Sequence, residues 1–422
     1  MRNRAVLSLA IITLLLGSLV PASNESVLSD SNTIFFADSE PELLIQAGTS
    51  NGHVNGSQIE ATPMGWVISG NTRNSLTLGT FQLQATSAYN TQLDADSYVA
   101  SIDEQGNWQW ALMPDASQGL TLITAMTSSM AGDIFLGGTI FGDVTFGNTL
   151  LTAQNTYGDA FIAKVDPMGQ WMWATSFSTA TNTAGNSSSV AGLATSPAGD
   201  LVVSGAQKGY TDFAGIIVNN TDSEYFIAQL DGVTGAVNLV STAGGIGDDE
   251  GGPVAVDSIG NIWQSGTTSG IFSGNGKSHQ AVSQADTVIV KWSAAGVVQD
   301  VIGLSSAASE INLPRDLIIT QNDDVVVSGV FLGSLNAGNQ NILSDNGNGD
   351  GYVVKILKSG TTSWATSAGG SSATEIVSSI AETSNGNFIA GGVFSSSANF
   401  GIHTAISNGD QDLFMAQLDS TG

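Results

Sequence analysis

The 422-residue chain contains no cysteine. That excludes disulfide cross-links, thiol nucleophiles, cysteine-ligated metals and a lipid-bearing cysteine, so stability has to come from packing and strand pairing. Basic residues are scarce as well. Ten Lys and Arg stand against 37 Asp and Glu, for a formal charge of -27. Neutralising phosphates or anionic lipid needs a basic face, so the composition argues against nucleic acid and acidic membranes as partners. The plainer meaning of the charge is solubility and mutual repulsion, with cation binding as the alternative. Three histidines, His53, His279 and His403, fall at non-equivalent loop positions. No stretch shows a sustained helical period, which leaves strands and turns to build the core.

One apolar run stands at the start. Arg2 and Arg4 precede residues 5–20, and Val20-Pro21-Ala22 supplies small residues before a cut. Residues 1–22 therefore read as an export signal whose apolar run, residues 5–20, is short for a bilayer span of about 20 residues. Residues 23–41 follow as a polar, acidic leader. The mature chain is expected to be secreted or held at the cell surface, monomeric, and without stable membrane insertion once the signal is removed.

Residues 42–422 are repetitive. Asp159-Ala-Phe-Ile-Ala-Lys-Val-Asp166 returns in variations beginning at Asp96, Glu224, Asp286, Asp350 and Asp412, with starts 63, 65, 62, 64 and 62 residues apart. A second apolar segment recurs in step, as in Gly65-Trp-Val-Ile-Ser-Gly70 and Asp323-Asp-Val-Val-Val-Ser-Gly329. Trp108-Gln-Trp110 and Trp171-Met-Trp173 mark a fourth segment, with both rings of each pair on one face of a strand. Their recurrence favours filling between sheets over stacking on a sugar or base. Four short antiparallel strands per period over six periods predict an all-β fold, a six-bladed β-propeller of four-stranded blades.

These residues resemble the SBBP-type β-propeller repeat family, and more loosely the YVTN-type surface propeller repeats. The pattern that carries the likeness is Asp-Ala-Phe-Ile-Ala-Lys-Val-Asp-x-x-Gly, then Trp-x-Trp-Ala, then a Gly-Asp/Asn strand. The resemblance implies an exported propeller and no catalytic residues. Ser293 and Leu357 depart from it where other repeats carry Asp before the turn.

Phase predicts how the ring closes. Leu43-Leu-Ile-Gln-Ala47 aligns with a fourth segment, whereas the chain stops just after a third. The N-terminal ribbon is thus expected to pair with the C-terminal blade. Docking it forms about four or five ladder hydrogen bonds at about 1 kcal/mol each and buries three large apolar side chains at about 1.5–3 kcal/mol apiece. Ordering the ribbon costs about 1–2 kcal/mol per residue, so the balance is modest but favourable.

Function is less legible. The first-to-second and third-to-fourth turns are short and share one end, while the long Gly-, Ser- and Asp-rich connections share the other. Loops on rigid scaffolds carry binding chemistry, so the long-loop end is the candidate surface for an extracellular glycan or protein. Asp248, Asp249 and Glu250, and the run Asp345-Asn-Gly-Asn-Gly-Asp350, are oxygen-rich enough for Ca2+ but lack EF-hand spacing, and solvated turns are the plainer reading. No other cofactor and no catalytic residue is assigned. The alternatives are a hydrolase or lyase with its site on the central axis and a structural envelope protein. Scattered first-segment acids (Glu60, Asp257, Glu382) in place of a recurring His or Arg set favour the binding module.

Overall fold

The computed structural model describes residues 54–73, 75–86, 96–156, 158–179, 186–306, 310–338, 340–343, 349–370 and 374–422. The expected export signal, the acidic leader, residues 43–48 and His53 lie outside them. Every regular element among the described residues is a β-strand. No helix there is long and apolar enough to cross a membrane.

The strands form consecutive antiparallel meanders. Unit 1 is Val54–Thr62, Gly65–Thr72, Asp96–Ile102 and Trp108–Leu112, paired in chain order. Unit 2 runs Asp115–Ser128, Ile134–Phe146, Asp159–Val165 and Trp171–Thr179. Unit 3 is Ser187–Thr195, Leu201–Phe213, Ile216–Leu230 and Val237–Ile246. Unit 4 is Asp249–Val256, Ile262–Thr268, Asp286–Trp292 and Val298–Leu304, and unit 5 is Asn312–Ile319, Val325–Phe331, Asp350–Ile356 and Thr362–Gly369. Unit 6 has three strands, Ile376–Glu382, Phe388–Phe394 and Asp412–Leu418.

The six copies of the defining repeat are the third strands, and each begins at the repeated acid except in unit 3, where the strand starts at Ile216 and reaches Glu224 within it. In units 2 to 5 these strands are buried on both faces, as their unbroken apolar character demands. One face packs on the preceding sheet and the other on the next. Between units 2 and 3, Phe177, Phe213 and Phe226 stack at centroid distances of 4.7 and 5.0 Å. Tyr225, Phe272 and Trp292 fill the space between units 3 and 4, and Trp263, Leu317 and Val327 that between units 4 and 5. Trp364 and Phe388 do so between units 5 and 6.

Turn chemistry sets the short-turn end. Gly106 and Gly169 (φ 87° and 82°) close turns in which Asp103 and Asp166 accept N–H bonds from two residues each. Ser293 substitutes its hydroxyl for that carboxylate, accepting the Val297 N–H at 3.2 Å. At Leu357 the backbone bond from Gly360 keeps the turn, and Asp324 accepts the Lys358 N–H instead. The departures noted in the sequence are therefore accommodated locally.

Side chains staple each unit to the next. Lys164 Nζ donates to the Gly232 carbonyl and pairs with Asp133, both at 2.8 Å. Gln229 reaches the Ala294 carbonyl and Lys291 the Lys358 carbonyl. Trp110 and Trp364 donate to Pro167 and Ser420 in the following turns, and the rings of Trp110, Trp173 and Trp364 lie on Gly169, Gly235 and Gly422. The tryptophans fill between sheets.

Most long connections contain an inserted hairpin, and that hairpin crosses to the previous unit. Phe213 pairs with Phe177, Ser273 with Gly244, Phe400 with Ala368, and Asn336 bridges to Ser305. The series ends at unit 6. Leu413 and Met415 are 47% and 48% exposed, whereas the equivalent Thr287 and Ile289 are fully buried. No strand of unit 6 is hydrogen-bonded to unit 1 among the described residues. The same unit borders a cavity of about 270 Å³ lined by Tyr352, Ala368, Phe400, Phe414, Ala416 and Leu418.

Candidate functional site

The long-connection end is built around the repeated acid of each third strand. Its carboxylate ties the returning hairpin or loop to the sheet. Asp159 accepts the Gln154 N–H at 2.6 Å and both the N–H and hydroxyl of Thr179 on the fourth strand. Asp96 accepts from Thr86, and Asp412 from Asn408. In unit 4 the cluster is largest. Asp286 accepts from the Val282 and Ser283 N–H groups, the Ser283 and Ser305 hydroxyls, and His279 Nε2 at 2.8 Å. Burial pushes this carboxyl up, but the bonds from His279, Ser283, Val282 and Ser305 outweigh it and hold the group at about 2. The set contains Ser, His and Asp without being a nucleophile relay, because both hydroxyls bond the carboxylate. In units 1, 2, 4 and 6 the residue that defines the repeat is thus a structural clamp.

A second polar position recurs where each first strand begins. Ser188 donates its hydroxyl to the Phe177 carbonyl at 3.1 Å and lies 3.4 Å from the Ala160 N–H. Asn312 does the same between Leu304 and Thr287, donating at 2.9 Å and accepting at 2.8 Å. Thr121 matches between units 1 and 2, and Asp249 and Glu375 match at the remaining two interfaces, all three fully buried. An ionised carboxylate has no proton for the carbonyl that Ser188 and Asn312 satisfy.

Each of these acids faces another. Glu224 Oε2 and Asp249 Oδ2 both press on Gly244, 1.8 and 2.6 Å from where a Cβ would stand, so the two oxygens converge. Both Asp350 oxygens press on Gly369 in the same way, at 2.1 and 2.4 Å, and Asp350 raises the pKa of Glu375. Burial, then Asp249 and Asp222, push Glu224 up to about 7. Asp249 is raised to about 6 by burial, with Asp248 and Asp222 adding to the effect against the Thr268 hydroxyl and Gly245 N–H. Burial and then Asp350 lift Glu375 to about 7. Asp249 Oδ1 lacks a donor in hydrogen-bond geometry, and Glu375 is approached by the Gly370 and Ser395 backbone N–H groups without meeting that geometry.

The run Asp248, Asp249 and Glu250 does not converge on one point. Asp248 is exposed and pairs with Lys208 at 3.1 Å, Asp249 points into the protein, and Glu250 follows it on the opposite face of a strand. No group of three or more His, Asp or Glu is placed to hold a metal among the described residues. Residues 344–348 of the other oxygen-rich run lie outside them. The first-strand acids are engaged in bonds to protein groups. Glu60, raised to about 7 by burial, accepts from Thr127 and the backbone of Ser128 and Ala61. Asp257 caps its own turn, and Glu382 accepts the Gln321 N–H at 2.7 Å. Glu375 was not singled out from the sequence, although an alignment of first-strand starts exposes it as a departure, and Glu224 stood there only as a copy of the repeated acid.

No protein-family profile and no curated protein sequence matches the chain. Among solved structures, an ulvan lyase bound to a GlcA–Rha3S ligand is similar at TM-score 0.43 and 12% identity, covering 87% of this chain and 79% of that one. A Dos1 propeller is similar at 0.39 and 10%, covering 81% and 69%. A Bacteroides caccae protein of unknown function is similar at 0.36 and 10%, covering 72% and 80%. Likeness at this level carries no argument about activity.

Proposed function

We propose that the chain is an exported, six-bladed propeller of the SBBP type that binds an extracellular glycan or protein through its long-connection end. Residues 43–48 supply the fourth strand of unit 6, and the exposed face of Leu413 and Met415 packs on unit 1. The cavity beside Phe414 and Leu418 is where the inward side chains of that strand belong. The observation that carries the binding reading is the uneven use of side chains. The repeated Asp, Lys and Trp residues are engaged in bonds and packing within the sheets. The inserted hairpins present Ile402, Ile406 and Ile217 to solvent, as the short turns present Met130 and Ile259, so the length of the connections decides the choice of end.

Glycan and peptide arrays probed with residues 23–422 test this. The reading expects a saturable ligand whose binding is lost in Ile217→Asp or Ile402→Asp and kept in Met130→Asp and Ile259→Asp at the short-turn end. Loss through the short-turn variants alone would reverse the assignment of faces.

A further inference from the structure

We propose that Glu224 with Asp249, and Asp350 with Glu375, form two equivalent divalent-cation sites of the calcium class. One lies between units 3 and 4, the other between units 5 and 6. The inference stands apart from the ligand reading above. Ser188 and Asn312 fill this slot with a group that donates a hydrogen to a fourth-strand carbonyl. Asp249 and Glu375 occupy the same slot without a proton to give once ionised. A hard cation bridging carboxylates and backbone carbonyls supplies the missing charge.

Three observations converge on it. The carboxylates come in pairs, with Asp249, Asp350 and Glu375 buried and Glu224 partly so. Asp249 Oδ1 lacks a donor, and the Glu375 carboxyl meets only the backbone N–H groups of Gly370 and Ser395, outside good hydrogen-bond geometry. Gly244 and Gly369 each lack the side chain that would keep the acids away, and any Cβ there collides with carboxylate oxygen. The arrangement recurs at the same register two units apart, which a chance cluster does not do. Around the first pair stand Asp222 and Asp248, which raise its carboxyls further, and Glu250, which is the group Lys208 acts on. The surroundings therefore favour attracting a cation.

The test uses the full chain stripped with EDTA and titrated with CaCl2 by calorimetry at pH 7.5. Two saturable sites are expected. Glu375→Gln should leave one, Glu224→Gln with Asp249→Asn should leave the other, and the combined variant none. Terbium offers a readout that leaves the ligands intact. Tyr225 lies beside Asp249, so Tyr225→Phe should dim the sensitised terbium emission while CaCl2 stoichiometry stays at two. Absence of saturable binding, or stoichiometry unchanged in the combined variant, overturns the proposal. So does a Glu375→Gln protein that gains stability at pH 8 in EDTA while the wild type binds no calcium, since the pair then shares a proton only.

Discussion

Asp286→Ala should destabilise the protein by about 3–5 kcal/mol, read as a shift of the urea midpoint. The substitution removes a fully buried carboxylate and strands the groups that point at it. These are the His279 imidazole, the Ser283 and Ser305 hydroxyls and two backbone N–H groups. Leaving buried donors unmet is more damaging than the net value of the bonds they made. The same substitution at Asp412 should change stability by no more than about 1 kcal/mol. That residue is half-buried and accepts the Asn408 N–H at the edge of the last sheet. Equal losses at the two positions would show that the repeated acid is not acting through its clamp.

Stability should fall as pH rises from about 5 to 8 in EDTA. Glu60, Glu224 and Glu375 are each raised from 4.5 to about 7, and Asp249 from 3.8 to about 6. Between the unfolded and folded values the native state binds more protons than the unfolded chain, so each unit of pH weakens it. Their contribution is complete below about pH 4.5 and gone above about pH 7. Asp286 works in the opposite sense. Held at about 2, it contributes above its unfolded value of 3.8 and is lost only as pH falls through 2. An optimum near pH 4.5 results, and the net charge of -27 reinforces the decline on the alkaline side. Urea midpoints at pH 5, 6.5 and 8 provide the measurement. Glu375→Gln should flatten the slope, and a midpoint that climbs from pH 5 to 8 would contradict the assignment of buried acids.

The sheet order was legible because the repeat is strict. A segment such as Asp286-Thr-Val-Ile-Val-Lys-Trp292 is apolar at consecutive positions, which only a strand covered on both faces can use, and it is the third strand of unit 4. The small turn residues placed the hairpins correctly for the same local reason. Partners across units were not legible. Phe213 reads as an isolated aromatic in a loop, and nothing in its neighbours says that it will pair with Phe177 of the preceding sheet. The second and third strands of unit 3 also run unbroken into their hairpin, as 201–213 and 216–230, because a shift at Gln207 and Gly209 lets one ladder continue into the next. The acid pairs were hidden for a related cause. Glu224 and Asp249 are 25 positions apart and meet only because consecutive sheets stack face to face. The adjacent run Asp248-Asp249-Glu250 drew attention in sequence, yet the alternation of a strand separates its members.

Closure of the ring by the N-terminal ribbon can be tested most directly with a chain that has no thiols of its own. Aligning Leu43 with Trp364 and following the unit 5 register, in which Val353 pairs with Thr366, sets Ile45 opposite Met415. Cross-strand neighbours have Cβ atoms about 4.5–5.5 Å apart, near enough for a disulfide to form with small backbone adjustment. The double variant Ile45→Cys and Met415→Cys should oxidise completely to a monomeric cross-linked species with a raised melting temperature. Thiols that stay free, or that cross-link only between molecules, would contradict a propeller closed by residues 43–48.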